Sequence, residues 1–95
     1  MATIRNVHRQ IFRCEKFRVQ FRNKTTGKAV RGNLAGIPSY HYQVMAKNKW
    51  SVNEWIEKRF NIRYPGFDVY VLQKNGDAFH GGALLSNVRN TYLEE

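Results

Sequence analysis

The sequence is poor in the residues that mark secreted, membrane-spanning or metal-held proteins. Its one cysteine among 95 residues, Cys14, excludes an internal disulfide framework. No C-x-x-C or H-x-x-x-H spacing groups it with the three histidines, His8, His41 and His80, so neither a metal nor a cofactor is expected. There are two prolines, Pro38 and Pro65, each beside other loop residues. No apolar run approaches the ~20 residues that span a bilayer. The opening MATIRNVHRQIF has no uninterrupted apolar core of the kind a secretory signal carries, and a cytoplasmic location away from membranes is expected.

Acidic residues are scarce as well. Seven Asp and Glu stand against 16 Lys and Arg, for a net charge of +9. The acids are scattered: Glu54 and Glu57 fall in one helical stretch, Asp68 and Asp77 near strand ends. Paired-carboxylate hydrolysis and two-metal nuclease chemistry are therefore disfavoured. Phosphate-loop, dinucleotide-binding and nucleophile-elbow patterns are absent. So are the signatures of RNA-recognition, zinc-finger and homeodomain modules.

The charge that is present is one-sided. Residues 1–31 hold nine cations (Arg5, Arg9, Arg13, Lys16, Arg18, Arg22, Lys24, Lys28 and Arg31) and one acid, Glu15. Residues 32–95 hold seven cations and six acids, close to neutral. Solubility alone is served equally well by mixed signs, whereas segregated charge steers an anionic partner.

The pattern predicts one domain over 1–95. A helix is expected over about 4–13, capped by Thr3, with Ile4, Val7, Ile11 and Cys14 on its apolar side. Arg5, Arg9, Arg13 and Lys16 then fall within about an 80° arc opposite. From Glu15 the period becomes two: Phe17, Val19 and Phe21 alternate with Lys16, Arg18, Gln20 and Arg22, a strand with a cationic outer face. Residues 23–28 read as a hairpin-type loop and 28–31 as a short return strand. Residues 32–39 are irregular, and 40–49 fit a helical turn or two.

Trp50, Ser51 and Glu54 form a capping box with its N′ residue, opening a helix that runs to about Phe60 and buries Val52, Trp55, Ile56 and Phe60. Residues 67–73 form a second strand, apolar on both faces and hence expected at the centre of the sheet. Asn75-Gly76 marks a hairpin into 78–80. Residues 83–93 form a last helix with Leu84, Leu85, Val88 and Tyr92 on one side. The expected fold is α+β, a short and mostly antiparallel sheet of three or four strands covered by two or three helices.

The nine cations of the first third are the candidate phosphate-binding residues, because Arg offers a planar fork to phosphate oxygens. Few Asn or Gln accompany them, so base readout is expected to be slight. Tyr40, His41 and Tyr42 follow Pro38 and could stack on unpaired bases, the bland alternative being that both tyrosines roof the core. Cys14 reads as a small core residue, and Glu57 with Lys58 or Arg59 as solvated helix surface.

The leading expectation is a non-enzymatic module that binds DNA or RNA. The alternatives are a protein-binding adaptor or inhibitor, such as a phage or plasmid would carry, facing an acidic protein surface, and a small toxin-type ribonuclease using His80 or His41 as acid–base. His80 precedes Gly81-Gly82, where a backbone could approach a ligand closely. An open edge beside residues 17–21 would permit a homodimer.

Overall fold

A computed structural model describes residues 2–93. Helix α1 spans Ile4–Glu15 and is capped by Thr3, whose hydroxyl accepts from the Asn6 N–H at 3.2 Å. Ile4, Val7 and Ile11 are buried as their spacing predicts. The fourth buried position is Glu15, while Cys14 is only half-buried. The helix stops at Lys16, which takes the left-handed conformation (φ 68, ψ 26) and donates its N–H to Phe12 O at 2.9 Å. This reversal lets the chain turn straight into strand β1, Arg18–Asn23.

β1 pairs antiparallel with β2, Phe67–Leu72, with Val19 opposite Val71 and Phe21 opposite Val69. Those four side chains are buried on the inner face. The sheet has two strands, and the segments expected as a third and fourth make one bridge each, Arg22 with Ala29 and Leu72 with Ala78. Gly76, at φ 96, supplies the positive dihedral of the Asn-Gly turn, but pairing beyond it stops after Phe79 N–H donates to Val71 O. β2 is therefore not central. Its outer face is open, and Tyr70 there is 45% exposed.

Helix α2 occupies 52–63. It is α-helical over Val52–Trp55, widens into a π-helical turn over Ile56–Phe60, and is α-helical again over Asn61–Arg63. The capping box forms in full: Ser51 Oγ accepts from Glu54 N–H, and a Glu54 carboxylate oxygen from Ser51 N–H, both at 3.1 Å. Phe60 follows Trp55 by five positions, which would put them about 140° apart on an α-helix at ~100° per residue. The π turn absorbs the extra residue, seen where Asn61 N–H reaches back to Ile56 O. Trp55, Phe60 and Tyr64 are thereby all buried.

Phe17 packs edge-on against Trp55 at 5.1 Å, and Phe21 against Phe60 and Tyr64 at 4.9 and 5.2 Å. Such ring pairs contribute about 0.5–1.5 kcal/mol each beyond the area they bury. Helix α3, Leu85–Leu93, closes the core with Leu85 and Val88, whereas Leu84 is exposed. Residues 40–49 form no helix. Their backbone is bonded to side chains instead: Gln10 accepts from Tyr40 N–H, Glu15 accepts from Ala46 N–H, and Arg59 donates to Val44 O.

Candidate functional site

The helix face and the strand meet in one concavity. Arg9 and Arg13 of α1, Lys16 at its end and Arg18 at the start of β1 line a groove of about 590 Å³, together with His8, Phe12, Val19 and Leu72. Its lining is thus cationic groups over apolar side chains. Phe12 is 43% exposed although it sits on a helix that packs against the sheet. A second groove of about 450 Å³ shares Phe12 and Lys16 with the first and adds Met45, Tyr92 and Leu93.

Two contacts fix the strand side. Tyr92 accepts from Arg18 N–H at 3.0 Å and donates its hydroxyl to Leu72 O, tying α3 to both strands. The Arg18 guanidinium lies over the Tyr92 ring at 5.7 Å and donates to Lys74 O at 2.7 Å. His8 is half-buried, and its Nε2 accepts from Phe21 N–H at 3.4 Å. Burial holds its pKa below the ordinary value, so it is neutral near pH 7 and adds no charge to the groove.

The other cations of the first third lie outside this groove. Arg22, on the outer sheet face, donates to Gly27 O at 3.1 Å and stacks over the Tyr70 ring at 4.6 Å. Lys24 donates to Pro65 O at 3.0 Å, beyond the far end of β1. Lys28 and Arg31 are exposed in the following loop. Arg5 packs beside Gly32, close enough that a Cβ there would lie 3.4 Å from its guanidinium. None of the nine makes an ion pair among the described residues, where the pairs are Lys58–Glu54, Arg59–Glu15 and Arg89–Glu15.

The only acid of the first third is turned inward. Glu15 is fully buried, and its carboxylate accepts from Ala46 N–H at 2.8 Å, Arg89 at 3.0 Å, Arg59 at 2.6 Å and the Tyr40 hydroxyl. Trp55 Nε1 in turn donates to the Tyr40 oxygen at 3.2 Å. Burial, and then the Glu15 charge, push the Tyr40 pKa upward, so the phenol stays protonated and serves as a donor. Burial lowers the Arg89 pKa, with Glu15 opposing it. Arg59 also stacks over Tyr42 at 4.4 Å. It belongs to this cluster and not to a solvated helix face.

Tyr40 is therefore a core residue whose ring is not offered to a base. Tyr42 is half-buried under Arg59, and His41 is exposed with its ring 4.3 Å from Tyr42. His80 accepts at Nδ1 from Gly82 N–H at 3.1 Å. No bond or ring contact among the described residues brings His41 and His80 together. Nor do any three His, Cys, Asp or Glu among them cluster as metal ligands. No described helix is long and apolar enough to cross a membrane.

Sequence reasoning missed Glu15, Phe12 and Tyr70. Phe12 lies off the apolar stripe of α1, and an aromatic on a polar helix face is the signal that marks it; Tyr70 lies off the inner face of β2, on a strand whose two faces both read as apolar. No known protein family matches the chain, and no curated protein or solved structure is detectably similar to it.

Proposed function

We propose that the chain is a small basic module, not an enzyme, that binds nucleic acid in the cytoplasm by holding phosphates in the groove between α1 and the sheet. The observation that carries this is the arrangement of Arg9, Arg13, Lys16 and Arg18 around one concavity without a carboxylate among its lining residues. Because Glu15 is sequestered by Arg59 and Arg89, no acid of the first third offsets these cations. The resulting one-sided potential favours a polyanion and speeds its approach.

If about five phosphates are engaged, by the four groove cations and Arg22, log K falls against log salt with a slope near −4.5 for a duplex, or about −3.5 for a single strand. Filter binding of oligonucleotides between 50 and 200 mM salt measures this, and a slope near zero rejects the proposal. A protein partner is the second reading, favoured by exposed Phe12, Met45 and Leu93 along the adjoining groove. It predicts retention of a protein and no salt-dependent retention of oligonucleotides.

A further inference from the structure

The groove differs from a plain phosphate cradle in having an exposed aromatic ring in its wall, and the outer sheet face carries a second. Phe12 is 43% exposed, lines the groove beside Arg9, Arg13 and Lys16, and packs edge-on against Tyr92 at 5.9 Å. Tyr70 is 45% exposed on the open face of the sheet, where Arg22 lies over its ring at 4.6 Å. Arg18 and Leu72, paired in the ladder, line the groove and also belong to the outer face, so they join the two places. Tyr70 and Leu72 point to the same side of β2, roughly 6.6–6.8 Å apart along the strand. Cations and exposed rings thus follow one another from the groove to the outer sheet face: Arg9, Arg13 and Phe12, then Arg18 and Leu72, then Tyr70 and Arg22, with one exposed carboxylate, Asp68, across from Arg22.

We propose that the bound strand is single, with unpaired bases stacking on Phe12 and Tyr70 while its phosphates lie against Arg9, Arg13, Arg18 and Arg22. This rests on the phosphate-binding function proposed above and names its substrate class. A duplex presents phosphates but keeps the faces of its bases stacked inside, so it gains nothing from an exposed ring. A single strand gains from both, because every base has a face to stack and the phosphates follow it. The groove's volume falls in the range of sites that enclose small molecules, which suits one splayed nucleotide and not the side of a double helix.

The test uses the full chain and fluorescent 12-nucleotide probes, oligo(dT), oligo(rU) and a mixed-sequence duplex, titrated at 100 mM salt. The expected result is single-strand binding at least about tenfold tighter than duplex binding. Phe12→Ala and Tyr70→Ala each weaken the single strand about 5- to 150-fold, while the salt slope stays as in the wild type. Phe12→Tyr and Tyr70→Phe keep the ring and retain affinity. Tyr70→Ala is at an exposed strand position and carries the test should Phe12→Ala lose the fold. Equal affinity for the duplex, or wild-type affinity in Tyr70→Ala, overturns the single-strand proposal and leaves phosphate binding in place. Absence of salt-dependent binding to all three probes overturns both.

Discussion

Arg89 grips Glu15 twice: its Nε donates to the Glu15 carbonyl at 2.7 Å and its Nη2 to the Glu15 carboxylate at 3.0 Å. The carbonyl belongs to the last turn of α1, where such groups lack a partner within the helix and a cation is favoured. One residue of α3 therefore caps α1, neutralises its buried acid, and reaches Asn48 with its third nitrogen at 2.6 Å. Arg59 completes the pairing from the π turn of α2. The cluster joins three helices and the 40–49 segment behind the cationic groove.

Removing the acid leaves two guanidinium groups largely out of water with no counter-charge. Glu15→Ala is expected to cost about 3–5 kcal/mol, which for a domain of this size lowers Tm by at least about 12 °C. Glu57→Ala, on the exposed side of α2, changes Tm little. Thermal melts followed by circular dichroism make the comparison. A Glu15→Ala variant as stable as the wild type would show the cluster to be dispensable.

Lys16 opposes stability to function. Its left-handed backbone is disfavoured for a side chain with a Cβ, and glycine relieves it. Lys16→Gly should raise stability by about 0.5–1 kcal/mol, a rise of about 2–8 °C in Tm. The same change removes one groove cation, so the salt slope of single-strand binding shrinks by about 0.7. A variant that gains stability and keeps the full slope would place Lys16 outside the binding surface.

Stability should fall with acidity through His8. Its folded pKa lies below the ordinary 6.5 because the neutral ring is buried. Below pH 6.5 the unfolded chain takes up a proton that the folded chain refuses, so stability is lost as pH falls from about 6.5 toward the lowered folded value. The exposed capping residue Glu54 works in a lower window: the Ser51 backbone bond depresses its pKa, and its contribution fades only below its ordinary 4.5. Melts at pH 7.5, 6.5 and 5.5 should show a decline that His8→Gln flattens. A wild-type Tm constant across that range contradicts the burial of His8.

Local rules were enough for α1, β1, β2 and the start of α2. Thr3, Ser51 and Glu54 are caps whose partners lie within a turn, and period-two alternation over Phe17, Val19 and Phe21 depends on neighbours alone. What escaped depends on distant groups. The 40–49 segment has helical spacing, yet its backbone is claimed by Gln10, Glu15 and Arg59 from other elements. Glu15 sits in the apolar stripe of α1 only because Arg59 and Arg89, 44 and 74 residues onward, arrive to satisfy it. Residues 28–31 and 78–80 carry strand composition but pair through single bridges, and the chain directly after each is bonded elsewhere, Gly32 O by Arg5 N–H and Gly81 O by Asn53 N–H. The nine cations were legible at once. That four of them would surround Phe12 followed from the reversal at Lys16, which no composition encodes.

The decisive comparison sets two charge reversals of equal size against each other. Arg9→Glu with Arg13→Glu alters the groove. Lys47→Glu with Lys49→Glu alters exposed positions that do not line it and lowers net charge identically. Titrating both with oligo(dT) from 50 to 200 mM salt should show at least a tenfold loss of affinity and a slope smaller by about 1.4 in the groove variant, with near wild-type values in the other. Equal losses in the two variants would mean that overall charge, and not the groove beside Phe12, draws the polyanion.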